Sequence, residues 1–253
     1  MRVLSNEKIA LNIYSLTFET ASALLESIPG QFVNINVHGE DSPFFRRPFS
    51  IAGVSDDSVE IIYAVVGAGT WYLSTIVPGD SIDIVGPLGT GYDLNFGESN
   101  SILIGGGVGI PPLLFLYNKM KNKGIEPQFL AGFKSVSYNY MPQNINNVHF
   151  SSDDGSLGSK GYVTDLLIES LFHDKVDHIY ACGPEPMLSK VIEISGKNEI
   201  RCSVSIERVY GCGTGICFGC IIENSLKRFT ETGRKYSLAC EEGPVFDSGD
   251  INL

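Results

Sequence analysis

Four cysteines fall within 29 residues, from Cys212 to Cys240. Three of them, Cys212, Cys217 and Cys220, have the spacing C-x4-C-x2-C, and Cys240 follows after 19 further residues. This is the spacing of plant-type 2Fe–2S loops, in which four thiolates hold two irons. Gly213, Gly215 and Gly219 lie between the thiols and allow backbone N–H groups to approach sulfur. A structural zinc site is the competing reading, although zinc more often uses two C-x2–4-C knuckles and Cys240 has no cysteine neighbour. Chance clustering is the third.

Three further groups carry chemistry. Arg46-Arg47-Pro48-Phe49-Ser50-Ile51 opens a strand. A guanidinium fixed there pairs with a pyrophosphate, and Ser50 on the same strand reaches a flavin ring. Gly69-Thr70, about 20 residues later, adds a helix N-terminus that attracts anions. The plain alternative is an edge strand with surface arginines. Gly105-Gly106-Gly107-Val108-Gly109-Ile110-Pro111-Pro112 stands between a strand and a helix, the setting of a nucleotide turn. G-x-G-x-x-G itself fails, because Ile110 or Pro112 occupies the third position. Gly106, Gly107 and Gly109 are the expected nicotinamide contacts, with a packing turn as the alternative. Ala181-Cys182-Gly183-Pro184-Glu185-Pro186-Met187 ends a strand and opens a helix, where open α/β sheets bind ligands. Cys182, Gly183 and Pro184 are therefore candidates beside the nicotinamide, although a lone cysteine such as Cys182 or Cys202 is more often core. His38, His149, His173 and His178 form no metal-spaced set, and no hydrolase pair stands out.

These groups need elements to hold them. Residues 1–97 read as short strands broken by Pro29-Gly30, Asp56-Asp57 and Pro78-Gly79-Asp80, which predicts an antiparallel barrel. Ile9, Leu11 and Ile13 alternate as one strand, continued after a slip by Leu16 and Phe18. Further strands are expected at 31–37, 58–66 and 80–85. Thr70 is expected to cap a helix over 71–77. Over 98–205, strands at 101–104, 128–133, 148–150 and 178–182 alternate with helices at 111–123, 163–172 and 185–195. That alternation predicts a doubly wound parallel sheet. Residues 206–253 form a third, metal-dependent module, too small for much core of its own.

Composition excludes several classes. The balance of 18 basic and 29 acidic residues, net −11, repels phosphate backbones and anionic lipid, so no nucleic-acid or membrane partner is expected. No run reaches the roughly 20 apolar residues of a membrane span. The first twelve residues lack a secretory core, so a cytoplasmic location is expected. There, clustered cysteines hold metal or do redox work rather than form disulfides.

Taken in order, RRPFSI, IIYAVVGAGT, PLGTGYDL, GGGVGIPPLLFL, SSDDGSLGSKGYVTDLL, ACGPEPML and CGTGICFGC with ACEEGPVFDSGDI resemble one family over nearly the whole chain. That family is the electron-transfer subunits of NAD-linked (B-type) dihydroorotate dehydrogenase, within the ferredoxin–NADP reductase-like flavoproteins. The resemblance implies an FAD-binding barrel, an NAD-binding α/β domain and a 2Fe–2S tail. It implies flavin contacts at Arg47, Pro48, Phe49, Ser50, Ile62, Tyr63, Ala64, Gly69 and Thr70, and cluster ligation by Cys212, Cys217, Cys220 and Cys240. Relatives often carry a basic residue where Ala64 stands, which leaves only a backbone role there. The implied task moves electrons from the FMN of a catalytic partner subunit through the cluster and FAD to NAD⁺. The implied assembly is a heterotetramer of two of each subunit. The chain holds no site for dihydroorotate itself. Related flavin subunits of sulfide dehydrogenases, electron-bifurcating reductases or hydrogenases are the alternative enzymes, and a zinc-stabilised binding module is the alternative outside enzymes. Ser151-Ser152-Asp153-Asp154 after a strand favours NAD over NADP, since an acidic side chain repels a 2′-phosphate or accepts from a ribose hydroxyl. A solvated acidic loop is the plain alternative.

Overall fold

The computed structural model describes residues 1–20, 23–37, 45–95 and 100–253. His38 and the expected 97/98 boundary lie outside the described residues. The first sheet contains β1 (Val3–Ala10), β2 (Ile13–Glu19), β3 (Phe32–Ile35), β4 (Arg47–Val54), β5 (Ser58–Ala64) and β6 (Ile84–Leu88). Their order is β1-β2-β5-β4-β3-β6, and every neighbouring pair is antiparallel. Its two edges meet before β6: Val3 N–H donates to the Asp80 carbonyl and Ile82 N–H to that of Met1, both at 2.8 Å. The sheet thereby closes as a barrel and leaves no long open edge.

Several local expectations change here. The 9–13 alternation is not one strand. Asn12 adopts φ 57°, a left-handed turn that asparagine tolerates, and splits the run into the β1–β2 hairpin. Leu11 is consequently exposed. The strand expected at 80–85 begins only at Ile84, because residues 79–82 bond instead to the chain start. Helix α1 (Ala68–Thr75) starts three residues earlier than expected. Thr70 is not its cap but its third residue. The Thr70 hydroxyl reaches back to accept from Gly67 N–H at 3.2 Å and Val66 N–H at 2.9 Å. Gly67 has no side chain for the task, so the cap is supplied from inside the helix.

The second sheet is built from β7 (Ser101–Gly106), β8 (Gln128–Phe133), β9 (Val148–Ser152), β10 (Ser159–Lys160), β11 (His178–Cys182) and β12 (Arg201–Ser205). Helices α2 (Ile110–Asn122), α3 (Val163–His173) and α4 (Glu185–Lys197) connect them. The order is β10-β9-β8-β7-β11-β12, all parallel, so the winding reverses between β7 and β11. Consecutive residues of β7 are buried on opposite faces. Ile102 and Ile104 join one core and Leu103 joins another, as a sheet covered on both sides requires.

The rest of the chain is not a separate body. A hairpin of β13 (Ile221–Glu223) and β14 (Tyr236–Leu238) flanks α5 (Leu226–Thr232), and β15 (Val245–Asp247) adds antiparallel to β12 as the last strand of the second sheet. Cys220, Ile222, Cys240 and Phe246 share one buried cluster with Ile102, Ile104 and Leu130 of the α/β sheet and Phe32 of the barrel. The tail is also stitched to the barrel: Thr90 N–H donates to the Gly243 carbonyl and the Thr90 hydroxyl to that of Glu241. Among the described residues no helix is long and apolar enough to cross a membrane.

Phe246 is a test of this shared core. Its ring is 3 % exposed, lies under the Arg228 guanidinium, and would collide with any side chain placed at Gly243. Phe246→Ala is expected to cost about 3–5 kcal/mol. Urea denaturation should show the loss in the tail and the α/β sheet together, whereas a tail that melted alone would contradict the shared core.

Candidate cofactor sites

The cysteine loop organises its sulfurs through backbone amides. Cys212 Sγ accepts from Thr214 and Cys217 N–H, and Cys217 Sγ from Cys212 and Gly219 N–H, all at 3.4 Å. Cys220 Sγ accepts from Cys240 N–H at 3.4 Å, and Cys240 Sγ from Gly215 N–H at 3.2 Å. Each of the four sulfurs therefore faces at least one positive dipole, the environment that stabilises thiolate charge. The bonds also sort the thiols into two pairs, 212 with 217 and 220 with 240. Tetrahedral iron bridged by two sulfides takes two thiolates, so a two-iron cluster needs such pairs. Among the described residues no three His, Cys, Asp or Glu side chains gather round one ion position. Gly213 and Gly215, at φ 75° and 79°, supply the left-handed turns that bring these amides round.

Cys212 and Cys240 differ electrostatically. The little burial of Cys212 opposes ionisation, but donation from Thr214 and Cys217 outweighs it and brings the thiol down to about 6. Burial, helped by the adjacent Cys220 thiol, pushes Cys240 up to about 12. Outside the loop, burial pushes both Cys182 and Cys202 up to about 12.

The flavin candidates gather at one end of the barrel. Phe49 of β4 and Tyr63 of β5 meet edge to face at 5.7 Å, so the start of β4 lies beside the end of β5, from which α1 follows. The register of β4 against β5 places Arg47–Ser50 toward the end of β5 at Ala64, and α1, with Gly69 and Thr70 in its first turn, follows β5 through residues 65–67. The two arginines are not equivalent. Arg46 is held by Asp83, whose carboxyl it lowers. Among the described residues Arg47 donates only to the carbonyls of Phe45 and Arg46, which steady its guanidinium without neutralising it. The Ser50 hydroxyl has no hydrogen bond among the described residues. Two side chains are already engaged: Ile62 packs in the core toward the α/β sheet, and buried Tyr63 donates to Asn6 Oδ1 at 3.1 Å. Burial raises that phenol well above its ordinary range. Ile62, Tyr63 and Ala64 can offer a ligand backbone, not side-chain chemistry.

The nicotinamide candidates stand at the switch between β7 and β11. A Cβ on Gly109 would collide with the Cys182 carbonyl, and one on Gly106 would meet Met187 Sδ at 2.7 Å. Both glycines are needed for the two turns to pack together. Gly107 differs: φ is 53°, nothing occupies the space beside it, and its carbonyl accepts from Tyr140 at 2.7 Å. Helix α2, which this turn opens, packs on β4, with Phe115 in the barrel core. The turn is therefore placed against the flavin strand. Cys182 is buried and protonated, so it is a poor nucleophile. Pro184 caps α4, and a cleft of about 370 Å³ beside it is lined by Gly183, Pro184, Glu185 and Arg208. Past β9, Asp154 accepts from both Ser156 N–H and hydroxyl, whereas exposed Asp153 has no side-chain partner among the described residues.

Two contacts lacked a sequence signal. Tyr210 packs on Phe32 with ring centroids 4.9 Å apart, and Asn34 Nδ2 donates to the Cys212 carbonyl at 3.2 Å. Both join the cysteine loop to β3, next to the flavin strand. Sequence separation hid them, since Asn34 and Cys212 are 178 positions apart.

Comparison with known proteins agrees with this layout. Residues 207–252 match a family model described as the iron–sulfur cluster binding domain of dihydroorotate dehydrogenase B, and residues 103–193 match an oxidoreductase NAD-binding domain. The chain is 37 % identical over 251 residues to a dihydroorotate dehydrogenase B (NAD⁺) electron transfer subunit of Caldanaerobacter subterraneus, covering 99 % of this chain and 96 % of that protein. It is 35 % identical to the protein of the same description from Geobacillus sp., covering 100 % and 98 %. Among solved structures, an NADH-dependent reduced ferredoxin–NADP oxidoreductase studied for flavin-based electron bifurcation superposes with TM-score 0.86 at 29 % identity, covering 99 % of this chain and 89 % of that one. A ferredoxin reductase of carbazole 1,9a-dioxygenase, 18 % identical with TM-score 0.67, shares the fold over 79 % of this chain and 65 % of its own.

The thiol environments give a pH test. In metal-free protein, Cys212 should be thiolate above about pH 6 and thiol below it, because its amide donors favour the charged form. Iodoacetamide labelling of Cys212, read by peptide mass spectrometry, should rise through that pH, while Cys182 and Cys202 stay unlabelled to pH 9. A Cys212 labelling midpoint at the ordinary thiol value of about 8.5 would contradict the amide assignment.

Proposed function

This chain belongs to the electron-transfer subunits of NAD-linked dihydroorotate dehydrogenase B, and from that membership we propose how its residues divide the work. It is a flavin and iron–sulfur oxidoreductase subunit that acts with a separate catalytic subunit and delivers electrons to NAD⁺ in pyrimidine biosynthesis. The bound FAD supplies hydride exchange with nicotinamide and single-electron exchange with the 2Fe–2S centre. The working parts are residues 1–97 for FAD, 98–205 for NAD and 206–253 for the cluster.

Arg47 pairs with the FAD pyrophosphate, assisted by the first-turn amides of α1 at Gly69 and Thr70. Pro48, Phe49 and Ser50, with the backbone of Ile62, Tyr63 and Ala64, hold the ring end. Gly106 and Gly109 shape the nicotinamide turn, and Gly107 with Gly183 and Pro184 lines it. Cys182 is a wall of that crevice rather than a reacting group. Asp153, the carboxylate left free beyond β9, selects NAD over NADP. Cys212 and Cys217 hold one iron, and Cys220 and Cys240 hold the other. The observation that carries this reading is the pairwise set of amide-supported sulfurs, seated on β3, which pairs with the strand that carries Arg47 and Ser50.

The face beyond the cysteine loop receives the catalytic subunit. Val209, Ile216 and Phe218, which are 84, 79 and 66 % exposed, surround exposed Cys217. An apolar rim around a redox centre is suited to docking. The assembly is a cytoplasmic heterotetramer of two chains of each kind.

Three outcomes are expected. The isolated chain should oxidise NADH with artificial acceptors and leave dihydroorotate untouched; adding the FMN-containing subunit should restore dihydroorotate-dependent NAD⁺ reduction, and turnover of dihydroorotate by this chain alone would overturn the division of labour. Arg47→Ala should weaken FAD by about 1.5–3 kcal/mol, or roughly 10- to 100-fold, in a flavin fluorescence titration. Asp153→Asn should raise kcat/KM with NADPH relative to NADH in diaphorase assays, and an unchanged ratio would remove Asp153 from the nucleotide site.

A further inference from the structure

Strand β3 sends its side chains to two destinations. Val33 and Ile35 enter the barrel core, whereas Phe32 packs under Tyr210 of the tail and Asn34 bonds to the Cys212 carbonyl. In the antiparallel register, Asn34 faces Pro48 and Phe32 faces Ser50 of β4. Directly opposed residues of a sheet project to the same side. Pro48 and Ser50 therefore share the face of β3 on which the cysteine loop is seated. Asn34 is the one polar side chain of β3 on that face.

Its setting is unlike that of a residue chosen for packing. Asn34 is 1 % exposed, and its Oδ1 is buried without a hydrogen-bond partner among the described residues. An apolar residue of the same size would avoid that unmet acceptor. What the amide adds is one bond, from Nδ2 to the carbonyl of a cluster ligand. The neighbouring chain is cut to fit it. A Cβ on Gly213 would collide with Asn34 Nδ2, so the residue after Cys212 has to be glycine for the amide to reach.

We propose that Asn34 is a positioning residue that fixes the distance between the cluster loop and the flavin strand through its hydrogen bond to the Cys212 carbonyl. The inference rests on the cofactor assignments above. Asn34 does not touch the reacting atoms. It clamps Cys212 across the sheet from Pro48, so that the gap the electron crosses is set by one strand spacing, about 4.8 Å, and one side chain. Electron transfer between the centres depends on that gap, while hydride exchange with nicotinamide does not.

The test uses the loaded chain and the variants Asn34→Leu and Asn34→Ser. Iron, sulfide and FAD content are measured first. Stopped-flow mixing with NADH then separates flavin reduction from cluster reduction. Microwave power saturation of the flavin radical signal reads its distance from the reduced, paramagnetic cluster. Both variants should keep FAD and iron, reduce flavin at the wild-type rate, reduce the cluster several-fold more slowly, and lose part of the relaxation enhancement. The two substitutions differ in size, so if one fails to fold the other is decisive. Wild-type cluster reduction and saturation in a folded variant would overturn the proposal. Loss of iron with FAD retained would also overturn it, by assigning Asn34 to cluster retention alone. Failure of the wild-type chain to show any NADH-reducible flavin and cluster would instead defeat the underlying cofactor assignment, and is visible before any variant is made.

Discussion

One continuous apolar core holds the three parts of this protein at fixed separation. It runs from Phe32 of the barrel, through Ile102, Ile104 and Leu130 of the parallel sheet, to Cys220, Ile222, Cys240 and Phe246 of the tail. The last 48 residues are too few to bury a core unaided. They take part in one that already exists, and β15 completes the sheet begun by β7. Two of the four thiols are themselves core residues. A redox centre built on such thiols cannot shift without disturbing the packing of both neighbouring sheets, because interiors are close-packed and resist displacement.

Charge is arranged on the same frame. The chain is net negative by 11, yet backbone N–H groups gather at its cysteine loop. Amides face all four loop sulfurs, and the turn after β7 opens α2. Asp83 occupies Arg46, whereas among the described residues its neighbour Arg47 bonds to backbone carbonyls. Asp154 is likewise occupied by Ser156, which leaves Asp153 facing solvent. In both cases two adjacent like residues are made different by one hydrogen-bonded partner. No spacing rule could separate them.

Much of the architecture was legible from local chemistry. The α/β half reads well because its elements are long and alternate regularly: the strands at 128–133 and 178–182 and the starts of α3 and α4 fall where the strand–helix alternation places them. The barrel half reads less well, since its strands are short and their ends are set by partners remote in sequence. Asn12 turns a run that alternation would continue, and the chain start captures residues 79–82 before β6 can form. Thr70 has the residue type of a helix cap but serves from the third position, because the residue that must cap is a glycine.

The sequence by itself determined which chemistry is available. Thiol spacing depends only on the chain between the thiols, and a glycine-rich turn between strand and helix is likewise a local fact, so both are written in contiguous residues. Only tertiary structure decided how these local pieces face one another. The seating of Cys212 on Asn34, the contact of Tyr210 with Phe32, the packing of Gly109 on Cys182 and the closure of the tail on β12 all join residues tens to hundreds apart. Their geometry is fixed by the burial of apolar surface and the satisfaction of backbone hydrogen bonds over the whole fold, quantities that no single stretch of sequence contains.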